Sequence, residues 1–180
     1  VELAGDRDFS IDLNDEGLKK GWHRKAWDAP KRRITVPGTW EDQGVNDPNP
    51  NVDGKLPYDG YAWYQKEVLI PSNLKGKQLF LQIGTIDDFD WAYVNGHLIG
   101  KTGEETPNYW NVQRDYPIPE NILKFGEKNL IAIRVYDRYL GGGIVKAPCR
   151  ITFPKQPKIP YLDAKTRKTA RFDPYLFRRW

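Results

Sequence analysis

Along most of this chain, apolar and polar residues alternate with the period of two that turns one face of a β-strand toward a core. In YAWYQKEVLI (61–70), Tyr64, Val68 and Ile70 share one face, Trp63, Gln65 and Glu67 the other, and Pro71 ends the run. QLFLQIG (78–84) keeps Leu79, Leu81 and Ile83 in phase, and ITV (34–36) stops at Pro37-Gly38, a turn signal. NLIAIRVYD (129–137) sets Ile131, Ile133 and Val135 against Leu130, Ala132 and Arg134. Both faces are largely apolar, which predicts a central strand covered on both sides. WAYVNGHLIG (91–100) reads as a hairpin, because Asn95-Gly96 supplies the two positive-φ residues of a type I′ turn. GIVKAPCRITF (143–153) gives one more strand, bent at Pro148. Helical signals are confined to about one turn each in DEGLKKGW (15–22) and PENILKFG (119–126). Short strands separated by Gly, Asn and Pro turns predict an all-β, antiparallel sandwich or barrel over residues 1–153. Residues 154–180 form an extension whose prolines deny it long regular elements.

Composition narrows this picture. At 180 residues the chain is too short for a (β/α)₈ barrel, which needs roughly 250. Aromatic residues make up 13% of it, which argues against disorder. A single cysteine, Cys149, excludes an internal disulfide, and no run reaches the ~18–20 apolar residues of a membrane-spanning helix. The chain starts at Val1 and holds no Met, as expected of a processed product or a segment of a longer protein. The net charge of +4 divides into −4 over residues 1–145 and +8 over 146–180. A basic tail with interleaved aromatics fits a packed or solvated extension, and also fits contact with a polyanion.

Catalytic motifs are thin. His23 and His97 have no His or Cys partner at ligand spacing, and Cys149 in a strand is expected to be buried. Asp87-Asp88-Phe89-Asp90 is open to several uses: turn caps bonding nearby N–H groups, sugar contacts, oxygens for Ca²⁺, or an acid/base pair. The aromatics are more informative. Trp63 and Trp91 lie inside strands and are expected in the core. Trp40, Tyr58, Tyr61, Tyr109, Trp110 and Tyr139 fall in or beside loops, next to Glu, Asp, Asn or Arg. Sugar rings stack on aromatic faces while such polar groups bond the hydroxyls, so this pairing points to carbohydrate.

The segments VPGTWEDQG (36–44), PYDGYAWYQKEVLIP (57–71), LQIGTIDDFDWAYVNGHLIGKTG (81–103), LKFGEKNLIAIRVYD (123–137) and GGGI (141–144) occur in an order and spacing that resembles a known family. This is the sugar-binding jelly-roll domain of glycoside hydrolase family 2, in β-galactosidase- and β-glucuronidase-like enzymes. The resemblance implies a galactose-binding-like β-sandwich of non-catalytic, carbohydrate-binding character, since the family's catalytic carboxylates lie in a separate barrel. By position, Asn51 matches a loop similar to one that carries a sugar-contacting Asn, and Asp137 matches the Asp that closes the late strand. The expected binding residues are therefore Trp40, Asn51, Asp59, Tyr61, Asp137 and Arg138, with no catalytic residue in this chain. No cofactor is expected beyond a structural Ca²⁺ at most. The expected partners are an oligo- or polysaccharide and a catalytic domain of the same parent protein, not nucleic acid or membrane, in a secreted or periplasmic setting. The competing readings are a spacer that docks a catalytic domain without a sugar site of its own, a share in a glycosidase active site, and nucleic-acid binding through the tail.

Overall fold

The computed structural model describes residues 1–27, 31–49, 51 and 56–154; the extension from residue 155 onward lies outside the described residues. The alternating segments fold into eleven strands: β1 (Gly5–Ile11), β2 (Arg32–Val36), β3 (Gly38–Thr39), β4 (Gly60–Leu69), β5 (Leu79–Asp87), β6 (Phe89–Val94), β7 (His97–Thr102), β8 (Gln113–Ile118), β9 (Lys128–Asp137), β10 (Gly143–Ile144) and β11 (Cys149–Thr152). They form a six-stranded sheet in the order β2-β1-β4-β9-β6-β7 and a five-stranded sheet in the order β11-β5-β10-β3, with β8 added beside β5. Neighbouring strands run antiparallel throughout both sheets, and the two layers enclose one core.

The core is built from the in-phase residues of the sequence. Phe9, Tyr64, Ile133 and Ala92 occupy one cross-strand row, and Leu79, Leu81 and Ile83 answer them from the facing sheet. Cys149 is buried there as well. The hairpin turns where expected: Asn95 and Gly96 have φ of 49° and 86°, between the paired Val94 and His97. As its two apolar faces demand, β9 sits centrally between β4 and β6. Its outer face is covered because residues 12–27 fold across the six-stranded sheet and seat Trp22 and Trp27 against Trp63, Tyr93 and Ala132. Asp12 secures that segment by accepting from Trp63 Nε1 (2.9 Å) and from the backbone N–H groups of Glu16 (2.9 Å) and Gly17 (2.8 Å).

One buried ion pair joins the sheets. Asp90 on β6 accepts from Arg114 Nε on β8 at 2.8 Å, and both side chains are fully buried. Tyr116 donates to the second carboxylate oxygen at 2.9 Å, and Arg114 spends its other nitrogens on the carbonyls of Asp88, Tyr109 and Val112. Burial nevertheless raises the Asp90 pKa to about 6, against the lowering pull of Arg114. The pair thus fixes geometry more than it adds net stability, as desolvation costs usually dictate. Asp90→Asn, which leaves the arginine uncompensated, is expected to cost about 3–5 kcal/mol, and the double change Asp90→Leu with Arg114→Met is expected to recover little of that loss, because the carbonyls of Asp88, Tyr109 and Val112 then lose their donor. Urea unfolding of both variants checks this.

Candidate functional site

At one end of the sandwich the two sheets bring their loops together. The six-stranded sheet ends there in the pair Gly60–Asp137 and in Asp88, just ahead of β6. The five-stranded sheet contributes the row Asp87–Gly143–Thr39. Asp59, Asp87, Asp88, Asp137 and Glu41 therefore gather at neighbouring strand ends, although they are distant in sequence.

Asp137 is the deepest of these, with no exposed surface. One carboxylate oxygen accepts the Tyr139 N–H at 3.3 Å, and Oδ2 is buried without a hydrogen-bond partner. Gly142 lies directly over it: a Cβ at this position would stand 2.7 Å from Oδ2 and would also strike the Trp40 ring. Glu41 repeats the pattern, because Oε1 accepts the Gly142 N–H at 3.3 Å and Oε2 is buried without a partner. Asp88 accepts the Arg138 N–H at 3.0 Å, which ties the β5–β6 bend to the end of β9. Burial raises the Asp137 pKa to about 7, helped by the nearby negative charges of Asp59, Asp88 and Asp87 and opposed by the Tyr139 N–H. The Asp87 pKa also rises to about 7, first through burial and then through Asp88 beside it. Asp59 is raised by burial and by Asp47 and Asp88. Among the described residues, no three His, Cys, Asp or Glu side chains converge to hold a metal ion. Asp88 and Asp90 point to different tasks, one to a loop N–H and the other to Arg114 between the sheets.

An aromatic row borders the carboxylates on the outer sheet face. Tyr61, Tyr136 and Phe89 are cross-strand neighbours, with ring centroids 4.5 Å (Tyr61–Tyr136) and 5.9 Å (Phe89–Tyr136) apart, and Tyr109 packs on Phe89 at 4.8 Å. The Arg134 guanidinium lies 4.0 Å from the Tyr61 ring centroid and 4.7 Å from that of Trp91. Arg138 lies over Phe89 and pairs with Glu104. Beyond the row, Tyr139 is 70% exposed, Leu140 67% and Trp110 51%.

Four of the six expected residues, Asp59, Tyr61, Asp137 and Arg138, come together at this end. Trp40 is corrected: its ring is wholly buried against Phe9 and Tyr58, and Nε1 donates to Tyr64 Oη at 2.6 Å, so it offers no stacking face to a ligand. It shapes the site from beneath. Asn51 is exposed, and its backbone N–H bonds Asn49 Oδ1 at 3.0 Å, a local loop contact. Asp87, Asp88 and Tyr139, which the sequence marks as candidates outside the six, complete the arrangement together with Glu41 and Gly142. The run Gly141-Gly142-Gly143 was the available signal, since glycine permits such close approach.

The profile of the family described as "Beta-galactosidase second all-beta domain" matches residues 23–138, well over half of the chain. The chain belongs to this family. A β-glucuronidase of Formosa agariphila is 29% identical over 119 residues, which cover 60% of this chain and 11% of that protein. A β-glucuronidase of Bacteroides fragilis is 29% identical over 136 residues, covering 70% of this chain and 18% of that protein. The crystal structure of Ruminococcus gnavus β-glucuronidase superposes with a TM-score of 0.62 at 21% identity, over 76% of this chain and 21% of that one. The chain thus spans about a fifth or less of the proteins it resembles. It is a β-galactosidase/β-glucuronidase-like β-sandwich domain of glycoside hydrolase family 2, as its motifs imply.

For this family member the raised carboxyls carry a pH signature. The folded state holds the Asp137 and Asp87 protons more tightly than the unfolded chain does, so stability falls as pH rises through about 7. Thermal melts are expected to give a lower Tm at about pH 8 than at about pH 6, by a few degrees. Asp137→Asn is expected to flatten that difference.

Proposed function

We propose that this chain is a non-catalytic carbohydrate-binding domain of a larger glycoside hydrolase or related polysaccharide-processing enzyme, acting at the loop end described above. The observation that carries the reading is Asp137 Oδ2: fully buried, without a partner, and set among carboxylates beneath the exposed Tyr139. A buried polar atom left unpaired costs free energy, which marks this end as shaped for more than stability, and the solvent-reaching carboxylates of Asp59, Asp87 and Asp88 beside it are the acceptors a ligand hydroxyl would meet. Tyr139 supplies the free ring face, a role that Trp40 is too deep to play. The names of the relatives agree, and one R. gnavus β-glucuronidase structure holds D-glucuronic acid. On this reading the parent protein acts outside the cytoplasm, secreted or periplasmic, and its catalytic domain is the other partner.

The spacer reading draws on a separate observation, the exposed Leu140 and Trp110 near the same end, which would suit a docked neighbouring domain. The exposed Tyr139 beside carboxylates favours sugar.

Calorimetric titration with a panel of neutral, acidic and amino methyl glycosides tests the proposal. At least one is expected to bind with Kd on the order of 1 mM, as befits a shallow site. Tyr139→Ala is expected to weaken it about fivefold through loss of ring stacking. Absence of binding across the panel would leave the spacer reading in its place.

A further inference from the structure

The side chains at the loop end are almost all acceptors. Asp59, Asp87, Asp88, Asp137 and Glu41 meet there, and each aspartate whose pKa is raised owes part of that rise to the charge of another carboxylate. The cations around them are committed. Arg138 pairs with Glu104, itself another carboxylate, and Arg114 is fully buried on Asp90. Two buried oxygens, Asp137 Oδ2 and Glu41 Oε2, lack any donor. Of these groups, Asp59 is exposed and Asp87 and Asp88 are half-buried, so three carboxylates reach solvent beside the covered Asp137.

The charge of a ligand decides what such a site can take. A uronate carboxylate brings only acceptors and another negative charge. A hydroxyl brings one donor. A protonated amine brings three donors and a positive charge, and hydrogen bonds from it to carboxylates are of the stronger, charge-assisted kind. Resting on the carbohydrate reading above, we propose that this site selects sugars by charge, taking an ammonium-bearing hexosamine in preference to a neutral pyranose and excluding uronates. The selection runs against what the names of the glucuronidase relatives would suggest. It follows from this chain's own side chains. Asp59, Asp87 and Asp88 supply the carboxylates that a ligand meets, and Asp137 and Glu41 lie covered behind them without a donor to offset the field.

Three methyl β-glycosides that differ chiefly in charge test this: the glucosaminide, the glucoside and the glucuronide, titrated into the whole chain at about pH 7, low enough to keep much of the amine protonated and high enough not to neutralise Asp87 and Asp137 outright. The glucosaminide is expected to bind about tenfold more tightly than the glucoside, with the glucuronide undetected. Raising the salt concentration should narrow the gap by screening. The double variant Asp59→Asn with Asp88→Asn keeps an oxygen acceptor for the Arg138 N–H. It should melt near the parent temperature and lose far more affinity for the glucosaminide than for the glucoside, so that most of the ammonium preference disappears. A glucuronide that binds as tightly as the glucoside, or tighter, overturns the charge inference and leaves the sugar site standing. Equal affinity for glucosaminide and glucoside overturns it as well. No binding of any of the three overturns the sugar site and the charge inference together.

Discussion

The loop end of this domain depends on the ion pair between Asp90 and Arg114, because that pair spans the two sheets and one arm of the arginine also holds the Asp88 carbonyl at 2.8 Å. Asp88 leads into β6 and Arg114 lies on β8, so neither sheet alone could fix the bend that presents Asp87 and Asp88. An apolar pair could fill the same volume. It could not clasp the carbonyls of Asp88, Tyr109 and Val112 at once, which the fork of a guanidinium does. The desolvation recorded in the raised Asp90 pKa is the cost of that placement.

From this anchored bend the rest of the site follows by contact. Asp88 takes the Arg138 N–H, which sets the turn after β9, and that turn carries Gly142 over Asp137 and Glu41. Trp40 closes the arrangement from below: its N–H bonds the Gly142 carbonyl at 2.9 Å while its indole bonds Tyr64 in the core. The position of the site is therefore rigid at its floor, where core residues hold it. The charged groups that remain stand at its rim, where a ligand would meet them. Such a division favours binding, because little ordering is left to be done when the ligand arrives.

How far the sequence revealed this depends on the range of each signal. Strand phase in 79–83 and 129–137, and the Asn95-Gly96 turn, are local properties that the structure reproduces. Asp59, Tyr61, Asp137 and Arg138 were legible as neighbours because they flank the ends of strands whose pairing the pattern already implied. Trp40 misled because a tryptophan beside Glu, Asp and Gln reads as surface, while its burial is decided by Phe9, Tyr58 and Tyr64, well separated from it in sequence. The Asp90–Arg114 pair was equally hidden, since nothing local to either residue announces the other. Residues 12–27 showed only a weak helical signal, yet they bury Trp63 by covering the sheet from outside.

The strongest argument that the loop end is built for a ligand comes from comparing two buried aspartates in the same six-stranded sheet region. Asp12 is 4% exposed and receives three donors: the Trp63 indole and the N–H groups of Glu16 and Gly17. Asp137 is less exposed still, yet receives one long hydrogen bond and faces other carboxylates. If burial of a carboxylate served only to hold the fold, both would be supplied with donors, as buried polar groups generally are. The fold shows at Asp12 that it can do so with two backbone N–H groups and one indole. At Asp137 it places a glycine where no side chain could donate and gathers Asp59, Asp87 and Asp88 nearby, which raises the cost of ionisation. Among the described residues, the buried side-chain oxygens that lack donors fall at this one end, where both sheets deliver their loops, and that is the complement of a ligand that carries donors of its own.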